Sequence, residues 1–301
     1  METALRAAIQ DDPDVVAAPM GELFAAGGKR LRPALVLLAA NCGRYDLEKV
    51  IPAAMAVEFT HAATLVHDDV IDRSAVRRGR PTVAAALGDE PAIVIGDFYF
   101  AKAYEYAART QSVEVVGILA RAVMEICAGE VGQQAIRYRY STDIPEYMGR
   151  IHAKTATLLA ACCEIGALLG SLQTSQRESL RNYGMLLGLA FQIADDVLDY
   201  TGSQGEVGKP TGNDIAEGFA TLPLMLARES LKTVLRDGHK LSTEDARRVA
   251  QEVRSGDAPE RAIAVAREHT SAALQQLDGL PAGDARDALA ALTDYVVTRK
   301  L

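Results

Sequence analysis

No proline occurs between Pro91 and Pro145, and none again between Pro145 and Pro210. Proline removes a backbone donor and clashes with the preceding turn, so windows this long without it permit long, unbroken helices. Inside them apolar residues recur every three or four positions, as in Val113, Val116, Ala120, Val123, Met124 and Cys127, which is the helical period. Strand alternation is hardly seen, and no Asn-Gly pair joins two β-branched runs. The reading is an all-α single domain over residues 1–301. About ten helices are expected, near 31–42, 48–70, 90–109, 112–138, 145–170, 175–201, 218–235, 243–255, 258–277 and 284–299. Asp257 with Glu260 has the spacing of a capping box for the ninth.

Composition sets outer limits. Nearly half of the 301 residues are hydrophobic, which excludes disorder, and clean apolar stretches such as Ala34–Ala40 fall far short of a bilayer span. No charged-then-apolar export signal opens the chain, so the cytoplasm is the expected compartment, with no transmembrane segment. The net charge of −8 argues against nucleic acid as a partner. Cys42, Cys127, Cys162 and Cys163 form no CxxC pair and read as reduced, buried small residues. Two segments interrupt the helical pattern: the basic loop Arg73–Pro81 and the glycine-rich stretch Gly202–Asp214. Loops of this kind often carry function.

One pattern occurs twice: Asp68, Asp69, Asp72 in LVHDDVID and Asp195, Asp196, Asp199 in QIADDVLD. On a helix, positions i, i+1 and i+4 share one face, so each set presents its carboxylates together. With 21 aspartates in the chain, one DDxxD arises by chance in about 0.1 of such sequences and two in under ~0.01. The neighbours Val66, Val70, Ile193, Ala194 and Val197 are apolar, which argues against two merely solvated acidic faces. Two carboxylates about 6 Å apart repel by about 3 kcal/mol at an effective dielectric near 20. Six on facing helices would therefore require cations. Hard oxygen donors without Cys or His suit Mg²⁺, whose shell is commonly completed by substrate phosphate and water.

Basic residues to meet such a phosphate are present. Gly27-Gly28-Lys29-Arg30-Leu31-Arg32-Pro33 is a glycine-led turn entering a helix, and Arg77, Arg78 and Arg80 follow the first triad. Lys154 stands in an apolar helical stretch, and Lys209 lies in the glycine-rich segment. No Walker loop, GxGxxG or Ser-His-Asp arrangement occurs, so nucleotide and acyl chemistry lack support.

These residues closely resemble the all-trans polyprenyl diphosphate synthases. The matching stretches are GGKRLRP (27–33), HAATLVHDDVIDRSAVRRGRPT (61–82), GDF (96–98), CAGEVGQQ (127–134), HAKTATLLAACCEIGALLG (152–170) and FQIADDVLDYTG with GKPTGND and TLP (191–223). The resemblance spans roughly residues 20–230 in the family's order. It implies the isoprenoid synthase fold, helices around a central cavity. It also implies three Mg²⁺ ions ligated by Asp68, Asp72 and Asp195, with Asp69, Asp196 and Asp199 assisting through water or hydrogen bonds. By the same resemblance, Arg77, Lys154 and Lys209 grip the diphosphate of an allylic substrate, and Lys29, Arg32, His61 and Arg78 hold isopentenyl diphosphate. The reaction implied is ionisation, condensation and elimination, with Thr155, Gln192 and the Lys154 carbonyl stabilising the allylic cation by their dipoles.

Ala63 and Thr64 lie about one turn before Asp68, where short-chain relatives carry a bulky aromatic. The small residues here point to medium or long products. A geranylgeranyl product is the alternative, if Tyr99, Met124 or Ile126 closes the path deeper in. A terpene cyclase and a catalytic subunit dependent on a non-catalytic partner are the competing readings. The second DDxxD argues against the cyclase. Family members form homodimers through long helices, here the 90–109 and 112–138 pair; a heterodimer is the other arrangement.

Overall fold

The computed structural model describes residues 1–141, 143–202 and 212–298. All regular structure among these residues is helical apart from one two-residue hairpin, in accord with the all-α expectation. Contacts gather the chain into two compact units. One comprises Met1–Arg121 with Cys162–Arg177, the other Ala122–Ala161 with Glu178–Leu301.

The first unit is built around α4 (Leu47–Ile71), which packs on α3 (Leu31–Asn41) and most extensively on α6 (Asp89–Arg109). Asp46 starts α4 by accepting the Glu48 amide at 3.0 Å, the role an N-cap aspartate plays. Val50, Ala53, Met55, Val57, Phe59 and Ala63 are buried, so the helix hides most of its circumference. Phe59 meets the rings of Tyr99 and Tyr106 at 5.6 and 5.2 Å. Lys102 is buried among these aromatics, its ammonium paired with Asp12 and donating to the Ala8 carbonyl at 2.6 Å. That pair ties α6 to α1 (Glu2–Gln10) and to the junction before α2 (Asp14–Ala25).

The second unit contains the C-terminal part of α7 (Val113–Ala135), α8 (Ile144–Ile151), a π-helical turn at His152–Ala156 and the start of α9 (Thr157–Leu169). With them are most of α10 (Thr174–Thr201), then α11 (Asn213–Glu217), α12 (Leu222–Leu231), α13 (Thr243–Ser255), α14 (Ala258–Gln276) and α15 (Asp284–Thr298). A shared core forms from Tyr200, Ile215, Leu224, Leu231, Val249 and Val253. The buried Tyr183 hydroxyl donates to the Leu289 carbonyl at 2.8 Å and accepts from Thr293 at 3.1 Å, fastening α10 to α15.

All ten expected helices are present, and the structure corrects several details. The helices α1, α2, α5 (Val83–Leu87) and α11 were not anticipated, and Pro19 sits inside α2. The expected helix at 218–235 is shorter, starting at Leu222 with Pro223 in its first turn. Asp257 does not form the capping box. Its backbone is helical (φ −84, ψ −8) rather than extended, its side chain makes no capping hydrogen bond, and its carboxylate lies 3.7 Å from Arg261 instead. Cys127 is exposed, unlike the other three cysteines, because it lies on the outward stripe of α7 with Met124 and Val131. Two helical runs, Leu47–Ile71 and Ile144–Leu169, are long and apolar enough to cross a bilayer, but 67% and 72% of their most apolar windows are buried within the protein.

Candidate active site

In the first unit the glycine-led turn Gly27–Arg32 folds through two left-handed residues, Gly27 (φ +88) and Arg30 (φ 48), the latter immediately before α3. Arg30 is held on several sides. It donates to Glu2 at 2.6 Å, to Glu58 at 2.7 Å and to the Phe24 carbonyl at 3.2 Å, and its guanidinium lies 5.2 Å from the Phe24 ring centroid. Arg78 donates to the Gly27 carbonyl. A β-carbon on Gly28 would come within 3.0 Å of Arg30 Nη1 and 3.1 Å of Arg78 Nη1, so glycine makes room for both guanidiniums. Lys29 is exposed and Arg32 half-buried. His61 sits close by; burial first, then Arg32, Arg78, Arg77 and Arg30, push its imidazole well below the usual histidine range. It is neutral at pH 7.

The basic loop after the first triad is a hairpin. Val76-Arg77 pairs antiparallel with Arg80-Pro81, and Arg78 and Gly79 both take positive φ (51 and 75) in the two-residue connection. Two consecutive left-handed residues define a type I′ turn, usually signalled by Asn-Gly rather than Arg-Gly. The turn sends Arg77 back over α4, where Nε lies 2.9 Å from each oxygen of the buried Asp69 and Nη2 lies 2.9 Å from Oδ1. Asp68 and Asp72, on either side of it, are half-buried. A cavity of about 450 Å³ opens beside this ion pair, walled by Leu23, Val66 and Val83 and rimmed by the Arg80–Glu22 pair.

In the second unit the π-turn carries Lys154 and Thr155. A π-turn adds a residue to a helical circuit and re-aims the side chains on it. Lys154 donates to Glu130 at 2.8 Å. Burial raises the Glu130 carboxyl, but Lys154, Gln134 and Gln133 outweigh it and hold the group below its ordinary value. Thr155 donates to Gln192 Oε1 at 2.6 Å, Gln192 Nε2 donates to Asp196 Oδ1 at 2.7 Å, and the Tyr147 hydroxyl donates to Asp196 Oδ2 at 2.7 Å. This chain of bonds fixes which way the Gln192 amide points, since a carboxylate can only accept. Burial pushes Asp196 up to about 6, opposed by the hydrogen bonds from Gln192 and Tyr147. Asp195 is exposed. Asp199 accepts the Asn213 and Asp214 amides at 3.2 and 3.1 Å, anchoring the start of α11. Asp214 is raised well above the carboxylate range by burial and then by Asp199 and Asp196.

The two triads thus share a division of labour. In each, the middle carboxylate is buried and bonded to protein donors, Asp69 to Arg77 and Asp196 to Tyr147 and Gln192, while the first is more open to solvent. Among the described residues no three acidic, histidine or cysteine side chains gather closely enough to hold a metal by themselves. Lys209 lies outside the described residues. Of the chain-length candidates, Ala63 is fully buried, and the Thr64 hydroxyl is bonded to the His61 carbonyl at 2.8 Å. Met124 is 71% exposed on α7 and closes no internal path within this chain; Tyr99 and Ile126 are buried. Sequence reasoning missed Glu58, Glu130, Tyr147 and Asp214. Glu130 lies in the quoted stretch CAGEVGQQ, whereas Tyr147 carried no signal at all.

Comparison with known proteins shows the family and the fold. The polyprenyl synthetase family model matches residues 13–255. The chain is 40% identical over 288 residues to heptaprenyl diphosphate synthase component 2 of Geobacillus stearothermophilus, covering 93% of this chain and 90% of the relative. In structure it is similar to heptaprenyl diphosphate synthase from Staphylococcus aureus, with a TM-score of 0.93 at 32% identity over 99% of this chain and 96% of the other. It is equally similar to a polyprenyl synthase from Caulobacter crescentus complexed with calcium and isoprenyl diphosphate, with a TM-score of 0.93 at 38% identity over 100% and 94%.

Proposed function

The chain belongs to the polyprenyl synthetase family, and we propose that it condenses isopentenyl diphosphate head-to-tail with an allylic diphosphate to give an all-trans polyprenyl diphosphate of medium or long chain. The observation that carries this reading is the paired DDxxD motif, each copy with its middle carboxylate bonded to the protein and its first carboxylate more open. All six donors are hard oxygens. Such donors suit a divalent cation that takes its remaining ligands from a diphosphate and water. Asp68, Asp72 and Asp195 would hold Mg²⁺, three ions by the family pattern, which when bound withdraws charge from the leaving diphosphate.

The protein's own groups do the rest. Arg77, Lys154 and Lys209 bind the allylic diphosphate, and Lys29, Arg32, Arg78 and neutral His61 bind isopentenyl diphosphate. As the allylic carbon–oxygen bond breaks, the oxygen dipoles of Thr155 and Gln192, fixed by their mutual bond, stabilise the cation without offering a nucleophile. The alkene of isopentenyl diphosphate attacks that cation, and the departed diphosphate takes the proton lost on elimination. Ala63 and Thr64 leave space for a growing chain where a larger residue would end it. The reaction is placed in the cytoplasm, and a homodimer is the simplest assembly, supported by the exposed Val94 of α6 and Met124 and Val131 of α7.

The decisive experiment incubates the purified chain with Mg²⁺, labelled isopentenyl diphosphate and each of the geranyl, farnesyl and geranylgeranyl primers, then sizes the products. Chains longer than geranylgeranyl are expected. A second reading, a catalytic component requiring a partner protein, is favoured by the component naming of the Geobacillus relative. Elongation seen only after a second protein is added selects that reading. Absence of elongation under both conditions overturns prenyl transfer.

A further inference from the structure

The basic turn Gly27–Arg32 poses an electrostatic problem that one buried acid resolves. Arg30, Arg32, Arg77 and Arg78 all bear on His61, so like charges crowd one small region and repel one another. Arg30 also occupies left-handed backbone (φ 48, ψ 34) before α3, a conformation unfavourable for a non-glycine residue, and α3 starts without a side-chain cap. Something must hold the turn in this shape. Glu58, on α4, is only 4% exposed and meets Arg30 Nη1 at 2.7 Å. It stands three residues before His61, on the same helical face. The other arms of Arg30 reach Glu2 and the Phe24 carbonyl. Its guanidinium is therefore taken up by the fold.

We propose that Glu58 is a positioning residue for diphosphate binding: acting through Arg30, it holds the Gly27–Arg32 turn in the conformation that presents Lys29 and Arg32 to the non-allylic diphosphate. This rests on the assignment of that turn to isopentenyl diphosphate made above. The proposal has a sign that distinguishes it from simple charge. If Glu58 acted only as a nearby negative charge, neutralising it would raise the local positive potential and tighten anion binding. As the anchor of Arg30, its neutralisation loosens the turn and weakens binding.

The test compares Glu58→Gln and Glu58→Asp with the wild-type enzyme. Glu58→Gln is expected to raise KM for isopentenyl diphosphate on the order of tenfold, as loss of a charge-assisted hydrogen bond would, with the allylic KM changed less than about twofold and Glu58→Asp recovering part of the loss. An unchanged or lower KM for isopentenyl diphosphate, or an equal rise in both KM values, overturns the proposal. If Glu58→Gln does not fold, Glu2→Gln removes only the exposed arm of the clamp, and a selective rise in the same KM supports the proposal while none overturns it. If the wild-type chain shows no condensation, the functional reading fails separately. Titration with inorganic diphosphate then decides for Glu58: weaker binding in Glu58→Gln supports its role, and unchanged or tighter binding overturns it.

Discussion

A β-carbon on Gly188 would stand 2.5 Å from the Cα of Ala156, the last residue of the π-turn. On the other side, a β-carbon on Gly129 would be 2.6 Å from the Ala153 side chain. The turn that carries Lys154 and Thr155 is thus clasped between α10 and α7 at two points where only glycine fits. Gly188→Ala would strike main chain, which yields less than a side chain. We expect a loss of about 2–3 kcal/mol in urea unfolding, the upper part of the range for overpacking. Turnover should fall by about tenfold or more as Thr155 shifts from Gln192. Gly149→Ala, where nothing lies within 4 Å, is the control and should be neutral or stabilising by up to about 1 kcal/mol.

Stability and activity should separate within each triad. Asp195 is exposed, so Asp195→Ala should change unfolding free energy by no more than about 0.5 kcal/mol. Its turnover should drop on the order of a thousandfold if it holds a metal worth several kcal/mol to the reaction. Asp68→Ala should lose turnover similarly, with helicity intact by circular dichroism. Asp196→Ala should differ by losing both, since it strips a buried acceptor from Tyr147 and Gln192. Full turnover in Asp195→Ala would remove it from the metal site.

What was legible in the sequence was local. The proline-free windows and the apolar period gave the long helices, and the i, i+1, i+4 spacing gave both triads, because each lies within a few residues of itself. The π-turn was not legible. Nothing in HAKTA marks it, and it depends on Gly129 and Gly188, which lie on other helices. The Arg78-Gly79 turn escaped notice because arginine rarely takes positive φ. Glu58 was hidden inside the apolar run AVEFTH, and its significance appears only once the fold brings Arg30 to it. The resemblance set Asp69 and Asp196 apart as assisting groups, but their burial and their bonds to Arg77 and Tyr147 appear only in the folded chain.

Acid should destabilise the protein partly through His61. Folded His61 resists protonation, its pKa lowered by burial and four arginines, whereas the unfolded residue takes up a proton near the ordinary histidine value of 6.5. The unfolded chain therefore binds more protons as pH falls. His61's contribution is complete above pH 6.5 and is lost progressively below it, approaching about 1.4 kcal/mol per pH unit at the steepest. Unfolding of wild type and His61→Gln, compared from pH 8 to pH 5.5, isolates this slope from that of other groups. Parallel curves would show that His61 titrates normally in the folded protein.

The product length should respond to Ala63. This residue is fully buried in α4, about one turn before Asp68, so a larger ring must take its space either from the chain path or from the neighbouring helices. Ala63→Phe is expected to cost about 1–3 kcal/mol by overpacking. If the ring turns toward the growing chain, labelled products should shorten while the rate of the first condensation stays close to wild type. If it is absorbed by repacking against α3 and α6, stability falls and the product distribution is unchanged. Thr64→Phe separates these outcomes further, because the Thr64 hydroxyl bonds the His61 carbonyl and the side chain is only half-buried. Shortening in Ala63→Phe but not Thr64→Phe would assign the chain path to the Ala63 face of α4, and shortening in neither would remove both residues from control of length.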